Sequence, residues 1–172
     1  MTDAGCTCCG VGAGQGRGPT VVDVVDSTGR CGADMVAWLG SRVRAACDEL
    51  GVSGEVRVRV VADAEMSDLH ARHSGVPGTT DVLTFDLRDL AMGPMDVDLV
   101  VCLDEAVRQS SARGHEPAKE LLLYSVHGLL HCLGHDDHAD EAAARMHRAE
   151  DAVLSAIGVG EVYARPPQGG EA

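Results

Sequence analysis

Residues Glu116–His138 read EPAKELLLYSVHGLLHCLGHDDH, and this stretch decides what the rest of the chain must pack around. Leu121, Leu122, Leu123, Val126, Leu129, Leu130 and Leu133 make it the dominant helix, over Glu116–Leu133. Two histidines lie inside this apolar segment, His127 and His131, four residues apart and so on one helix face. A buried polar group without a partner costs about 1–3 kcal/mol, and two imidazoles in such a helix need a partner to share. A metal ion is the natural one. Gly134 can take the left-handed conformation that ends a helix and turns the chain back, so a residue shortly after it can close the site from a third side. Three protein ligands with an open fourth position form a catalytic zinc site, in which the ion polarises a substrate oxygen or lowers the pKa of bound water to about 7. Zinc peptidases built on such a helix carry a Glu directly after the first His as general base. Here that place is Gly128, and a peptidase of that type lacks its base.

Upstream, TVVDVVD over Thr20–Asp26 is a β-branched strand closed by Ser27-Thr28-Gly29. Met35, Trp38, Leu39, Val43, Ala46 and Cys47 recur at helical spacing over Ala33–Leu50, and Gly51 supplies the stop. Val56–Val60 alternates strictly, with valines inward and Arg57 and Arg59 side by side on the other face. That face is expected to be solvated, although the two arginines could touch an anion. Asp63 can cap a short helix through about His73, followed by the turn-rich Ser74–Gly78. DVLTFDL over Asp81–Leu87 and VDLVVCL over Val97–Leu103 are two further strands, and a last amphipathic helix spans about Ala139–Ile157. The order of elements predicts an α+β fold, a small mixed sheet with helices packed on it. One domain over 20–158 is expected, between a flexible Gly- and Cys-rich tail over 1–19 and a loose tail over 159–172.

The 172 residues are 45% apolar and 24% charged, enough to bury a core. One Trp, two Tyr and one Phe cannot build a sheet that reads RNA by stacking bases on aromatic rings. A net charge of −13 argues against a general polyanion binder. No stretch approaches the roughly 18 to 20 apolar residues that span a bilayer, and the N-terminal segment lacks the basic start and apolar run of a secretory signal, so the cytoplasm is the expected location and no membrane partner is expected. Cys31, Cys47, Cys102 and Cys132 fall in predicted helices and strands or beside them, where a free Cys serves as a small apolar residue in a reducing compartment. Cys6, Cys8 and Cys9 lack the second ligand pair of a zinc knuckle.

The pattern from His127 to His138 resembles the signature H-G-x-L-H-L-x-G-x-D-H of the YbeY family of bacterial endoribonucleases. His127, Gly128, Leu130, His131, Gly134 and a following Asp-His match it. The family's T-D-V-L-S-F segment is matched by Thr80-Asp81-Val82-Leu83-Thr84-Phe85, its acidic-apolar strand by Asp98–Cys102, and its Glu-Ala pair by Glu105-Ala106. The likeness spans roughly residues 60–138. It departs at the third His, which in the family lies ten residues after the first, where this chain has Asp137. Since His is the family's ligand type, the resemblance implies His138 as third ligand after a one-residue insertion. Asp137 keeps the spacing and competes for the place, as does His135. Cys132 replaces a family Leu. The family's Arg before T-D-V-L would fall on Ser74, and Arg72 is the nearest basic residue.

What the resemblance implies is an α+β fold with a mostly parallel sheet and a metal helix and turn like those of zinc hydrolases. It further implies one Zn2+ ion and endonucleolytic cleavage of single-stranded RNA, in maturing the 3′ end of small-subunit ribosomal RNA and in ribosome quality control. Carried over, His127, His131 and His138 hold zinc, Arg72 steadies phosphate charge, and Asp137 is a candidate general base. The charge distribution bears on partners: residues 1–80 are net −3 and residues 81–172 net −10, so the metal-bearing half repels RNA. Arg57, Arg59 and Arg72 are the candidate contacts, with useful affinity expected from the small ribosomal subunit through one of its proteins. The rival readings are a small zinc peptidase or other metal hydrolase, and a non-catalytic assembly factor that a metal staples together.

Overall fold

The computed structural model describes residues 18–89 and 93–163, which leaves Cys6, Cys8, Cys9 and the Pro166–Gly170 segment outside the described residues. Its elements are β1 (Thr20–Asp26), α1 (Ala33–Leu50), β2 (Gly54–Val61), α2 (Asp63–Ser74), β3 (Val82–Asp86), β4 (Met95–Cys102), α3 (Leu103–Arg113), α4 (Pro117–Cys132) and α5 (Asp140–Ala156). The sheet order is β1-β2-β4-β3, with β1, β2 and β4 parallel and β3 antiparallel to β4 at the edge. This is the α+β fold with a mostly parallel sheet. None of the described helices is long and apolar enough to cross a membrane.

Register places Val56, Val58 and Val60 beside Val97, Leu99 and Val101, and these alternate residues of β2 and β4 form the floor of the main core. Leu39, Val43, Ala46 and Cys47 of α1 close it over one part of the sheet. Val100 and Cys102 point the other way and join Val61 and Met66 of α2 in a smaller cluster on the opposite face. On that second face Arg57 stands in register with Asp98 and pairs with it, with Asp96 and with Glu55, while Arg59 pairs with Glu65. The expectation of a solvated outer face therefore holds for both arginines, with the addition that carboxylates occupy them.

α4 is buried along nearly its whole length, from Glu120 to Val126 and again over Gly128–Leu130, as a helix enclosed on all sides must be. It lies between the sheet and α1, α3 and α5. At Gly128 it runs close to the sheet, where a Cβ would come within 2.6 Å of Leu99 Cδ2 and Thr84 Oγ1. The residue after the first His thus faces β3 and β4, and a side chain in the place a peptidase gives to its catalytic Glu would displace Leu99 and Thr84.

Three sequence expectations change. Asp63 is not a cap: Ala62 holds that position, and the Asp63 carboxylate instead takes Arg108 at 2.7 and 2.9 Å, which holds its carboxyl down to about 2. α3 was not anticipated, because its buried side consists only of Leu103, Ala106 and Ser110, too thin an apolar stripe to register as periodic. The packed body also continues past Gly158, since Val159, Val162 and Tyr163 lie against the core and Val162 N–H donates to Asp151 at 2.7 Å.

Gly128→Ala should cost about 1–3 kcal/mol of stability through overpacking against Leu99 and Thr84. Urea unfolding of the metal-free protein measures it, and an unchanged midpoint would mean that α4 does not press on the sheet at this point.

Candidate metal centre

The last two turns of α4 project His127 and His131 from the same side, with their Nε2 atoms 2.9 Å apart. Each ring is fixed from behind. His127 Nδ1 donates to Glu150 Oε1 at 2.6 Å, and Glu150 is wholly buried on α5. His131 Nδ1 lies 3.0 Å from the backbone oxygen of His135. A carbonyl oxygen can only accept, so the proton of a neutral His131 ring is on Nδ1 and its Nε2 carries a bare lone pair. The same holds for His127 when it donates to Glu150.

The carbonyl of His135 reaches His131 because the chain reverses at Gly134, as the sequence led one to expect. Gly134 has φ +89°, and its N–H and that of His135 bond back to His131 O and Leu130 O at 2.9 and 3.0 Å. Arg88 steadies the same end of α4, donating to Cys132 O at 2.6 Å, a cation at a helix C-terminus. Cys132 itself packs against the core, where burial pushes its thiol up to about 11.

Beyond the turn, Asp137 Oδ2 stands 3.6 Å from His127 Nε2 and 3.7 Å from His131 Nε2. His127, His131 and Asp137 are thus brought together as three groups able to hold one ion. Tetrahedral zinc with bonds of about 2.0–2.1 Å separates its ligand atoms by about 3.3 Å, and this triangle brackets that value. His138 is not brought to the histidine pair. Its ring is 87% exposed and pairs with Asp136, with Asp137 Oδ1 at 3.7 Å. His135 takes part through its backbone. Arg72 is exposed on α2 and does not line the cavity beside the histidines.

That cavity, of about 510 Å3, opens from His127 and Asp137 toward Thr79, Thr80, Asp81, Glu105, Gln109 and Tyr124. Arg113 also lines it but is committed to buried Glu120, at 2.9 and 3.0 Å. Tyr163 lines it too and stacks on His147, with ring centroids 4.0 Å apart. Both tyrosines of the chain therefore face one cavity. Burial, the largest influence on His127, disfavours its charged form, but the Glu150 hydrogen bond and the charges of Glu150, Asp81 and Asp137 outweigh it, and the His127 pKa is raised. Glu150 Oε2 has no hydrogen-bond partner among the described residues. Tyr163 is nonetheless close enough that, after burial, the Glu150 carboxylate pushes its phenol above the ordinary range.

Sequence reasoning did not find Glu150, Tyr124 or Tyr163. Glu150 had a readable signal: with Ala142, Met146, Val153 and Leu154 it lies on the buried stripe of α5, a carboxylate where the pattern asks for an apolar residue.

The model of a protein family described as endoribonuclease YbeY matches residues 31–158. The chain belongs to the YbeY family. Similar proteins named endoribonuclease YbeY include that of Moorella thermoacetica, 33% identical over 142 residues, covering 74% of this chain and 90% of the relative. That of Acidothermus cellulolyticus is 40% identical over 103 residues, covering 53% and 62%. Among solved structures, the solution structure of TM1509 from Thermotoga maritima shares the fold, with a TM-score of 0.52 and 23% identity, covering 88% of this chain and all of that one.

Replacing Glu150 by Gln should lower the His127 pKa in the metal-free protein, since both the charge-assisted hydrogen bond and the carboxylate charge that raise it are lost. Histidine ring titration by NMR measures this, and an unmoved His127 would show that Glu150 does not govern it.

Proposed function

We propose that the protein is a zinc-dependent, single-strand-specific endoribonuclease whose metal is held by His127, His131 and Asp137. The observation that carries the metal reading is the pair of Nε2 atoms at 2.9 Å with both Nδ1 positions engaged and the Asp137 carboxylate beside them, because two such nitrogens must share a proton or a cation and the carboxylate supplies a third ligand for a cation. Asp137 takes the third place over His138 because its carboxylate already faces both rings. A bound divalent ion would supply positive charge to a phosphate oxygen and acidify a water. The chain's own part is to present the ligands rigidly, through Glu150, the His135 carbonyl and the Gly134 turn. Arg72 is assigned a phosphate of the strand outside the cavity. It stands near the C-terminal end of α2, which is tied to the Thr79–Asp81 loop by His70 Nδ1 at 2.9 Å from Gly78 O.

RNA as the substrate is supported by family membership. The finer reading is that the RNA is the 3′ end of small-subunit ribosomal RNA, cleaved in the cytoplasm, with a protein of that subunit supplying affinity. It rests on the family likeness and on the net charge of −10 over residues 81–172.

Purified protein loaded with zinc should cleave single-stranded RNA and leave an unstructured peptide intact. The reverse result would favour the peptidase reading. Asp137→Ala should weaken zinc binding by about 100-fold or more and abolish cleavage, whereas His138→Ala should retain the metal. Metal content by mass spectrometry, with circular dichroism to verify folding, decides between the two ligand assignments. A folded His131→Ala protein that still cleaves RNA would overturn the catalytic role of the centre.

Zinc affinity should rise with pH. A ligand imidazole must be neutral, and the raised pKa of His127 means that the proton competing with the metal persists to higher pH than on an ordinary histidine. Competition with a chelator across pH 6 to 8.5 should show affinity still climbing above the histidine reference of about 6.5.

A further inference from the structure

We infer that the cavity beside the histidine pair seats one nucleoside of the RNA strand, with the Tyr124 hydroxyl reading its ribose 2′-hydroxyl; this rests on the endoribonuclease reading. Tyr124 is 4% exposed, lines the cavity, and its hydroxyl is sealed from solvent with no hydrogen-bond partner among the described residues. Leaving such a group unmet costs about 1–3 kcal/mol, and a ligand that meets it recovers this on binding. Burial, with the charges of Glu120, Asp81 and Glu105, pushes the phenol upward, so it stays protonated and can donate. The cavity's size, about 510 Å3, lies within the range of about 300–1,000 Å3 of small-molecule sites.

Charge selects the part of the nucleotide. Asp81, Glu105 and Glu150 line the cavity; Glu105 is paired with Arg108, Glu150 is buried against His127 and the one arginine, Arg113, is neutralised by Glu120, which leaves Asp81 as the carboxylate able to meet a ligand. Such a wall repels a phosphate and accepts hydrogen bonds from a neutral polyhydroxyl group. The phosphate belongs at the histidine end and the sugar in the cavity, where Asp81 accepts from the 2′-hydroxyl, the one hydroxyl that a ribose keeps within a strand, and Tyr124 donates to its oxygen. A 2′-hydroxyl is the group that distinguishes RNA from DNA, so this cavity would contribute to choosing between them.

The test uses the zinc-loaded protein, titrated with uridine and with 2′-deoxyuridine and followed by NMR chemical shifts. Uridine should perturb Tyr124 and Thr79–Asp81 and bind about tenfold more tightly than the 2′-deoxynucleoside, the loss expected for about one hydrogen-bonded pair. Tyr124→Phe removes only an unpartnered hydroxyl. It should melt at or above the wild-type temperature, since the buried hydroxyl it lacks was unmet, and bind uridine about tenfold more weakly. Equal affinity for the two nucleosides, or a folded Tyr124→Phe protein with undiminished uridine binding, would overturn the inference. If the variant melts lower, the wild-type comparison of nucleosides decides alone. A parallel cleavage assay separates the two readings: selective uridine binding without RNA cleavage overturns the nuclease reading and leaves the cavity assignment, whereas RNA cleavage without nucleoside discrimination does the opposite.

Discussion

His127 and His131 present their Nε2 atoms to one another at 2.9 Å, with a carboxylate behind one ring and a carbonyl behind the other. Two imidazoles tolerate that distance only across a shared proton or a cation, and much of the surrounding structure serves to maintain it. α4 has to be rigid, so it is enclosed from Glu120 to Leu130 and pressed on the sheet at Gly128. α5 has to bring a buried carboxylate to Nδ1 of His127. The turn at Gly134 has to deliver both the His135 carbonyl and the Asp137 side chain within three residues. A carboxylate buried at Glu150 would cost several kcal/mol unpaired, and the charge-assisted bond to His127 is what offsets it.

The acidity of the chain takes on a specific form in the structure. Arg30 pairs with Asp104, Arg57 with Glu55, Asp96 and Asp98, Arg59 with Glu65, Arg108 with Asp63 and Glu105, and Arg113 with Glu120. Most of these pairs are exposed, where an ion pair contributes only about 0–1 kcal/mol and a phosphate can compete for the arginine. The pair of Arg113 with wholly buried Glu120 is different, since removing the cation would leave a charge stranded in the core. The exposed arginines can therefore be shared with a polyanion, and the arginine in the cavity cannot. The scarcity of aromatics reads differently as well: of four such residues, two line a single cavity, and neither Trp38 nor Phe85 does.

Elements with a strong periodic signal were legible in the sequence. α1 begins and ends where Ala33 and Leu50 indicate, and β2 shows the alternation of Val56–Val60. α3 was not legible, because its place is determined by ion pairs to α2 and by Ser110 packing inward, and neither leaves a hydrophobic period. In the site, the histidine pair and the glycine turn could be read because helix geometry relates residues four apart. The resemblance puts the third member at His138, whereas Asp137 is the side chain that lies beside the pair, because a turn can rotate any of several neighbouring side chains inward. Glu150 and Tyr124 reach the site through tertiary packing, and only the first breaks its helix's apolar pattern in a way that marks it.

A carboxylate in third place alters charge more than geometry. Two neutral imidazoles and one aspartate would leave a divalent ion with a net charge of about +1, against about +2 for three imidazoles. Both ligand sets are used in hydrolytic zinc centres, so the change does not remove the capacity to acidify water. It does reduce the pull on a distant phosphate, in a half of the chain that is already net −10. Long-range attraction is then a poor means of capture for this centre, and short-range contacts have to do more of the binding. The unmet hydroxyl of Tyr124 and the acceptors around it are contacts of that kind, effective only once a strand has been brought to the mouth of the cavity.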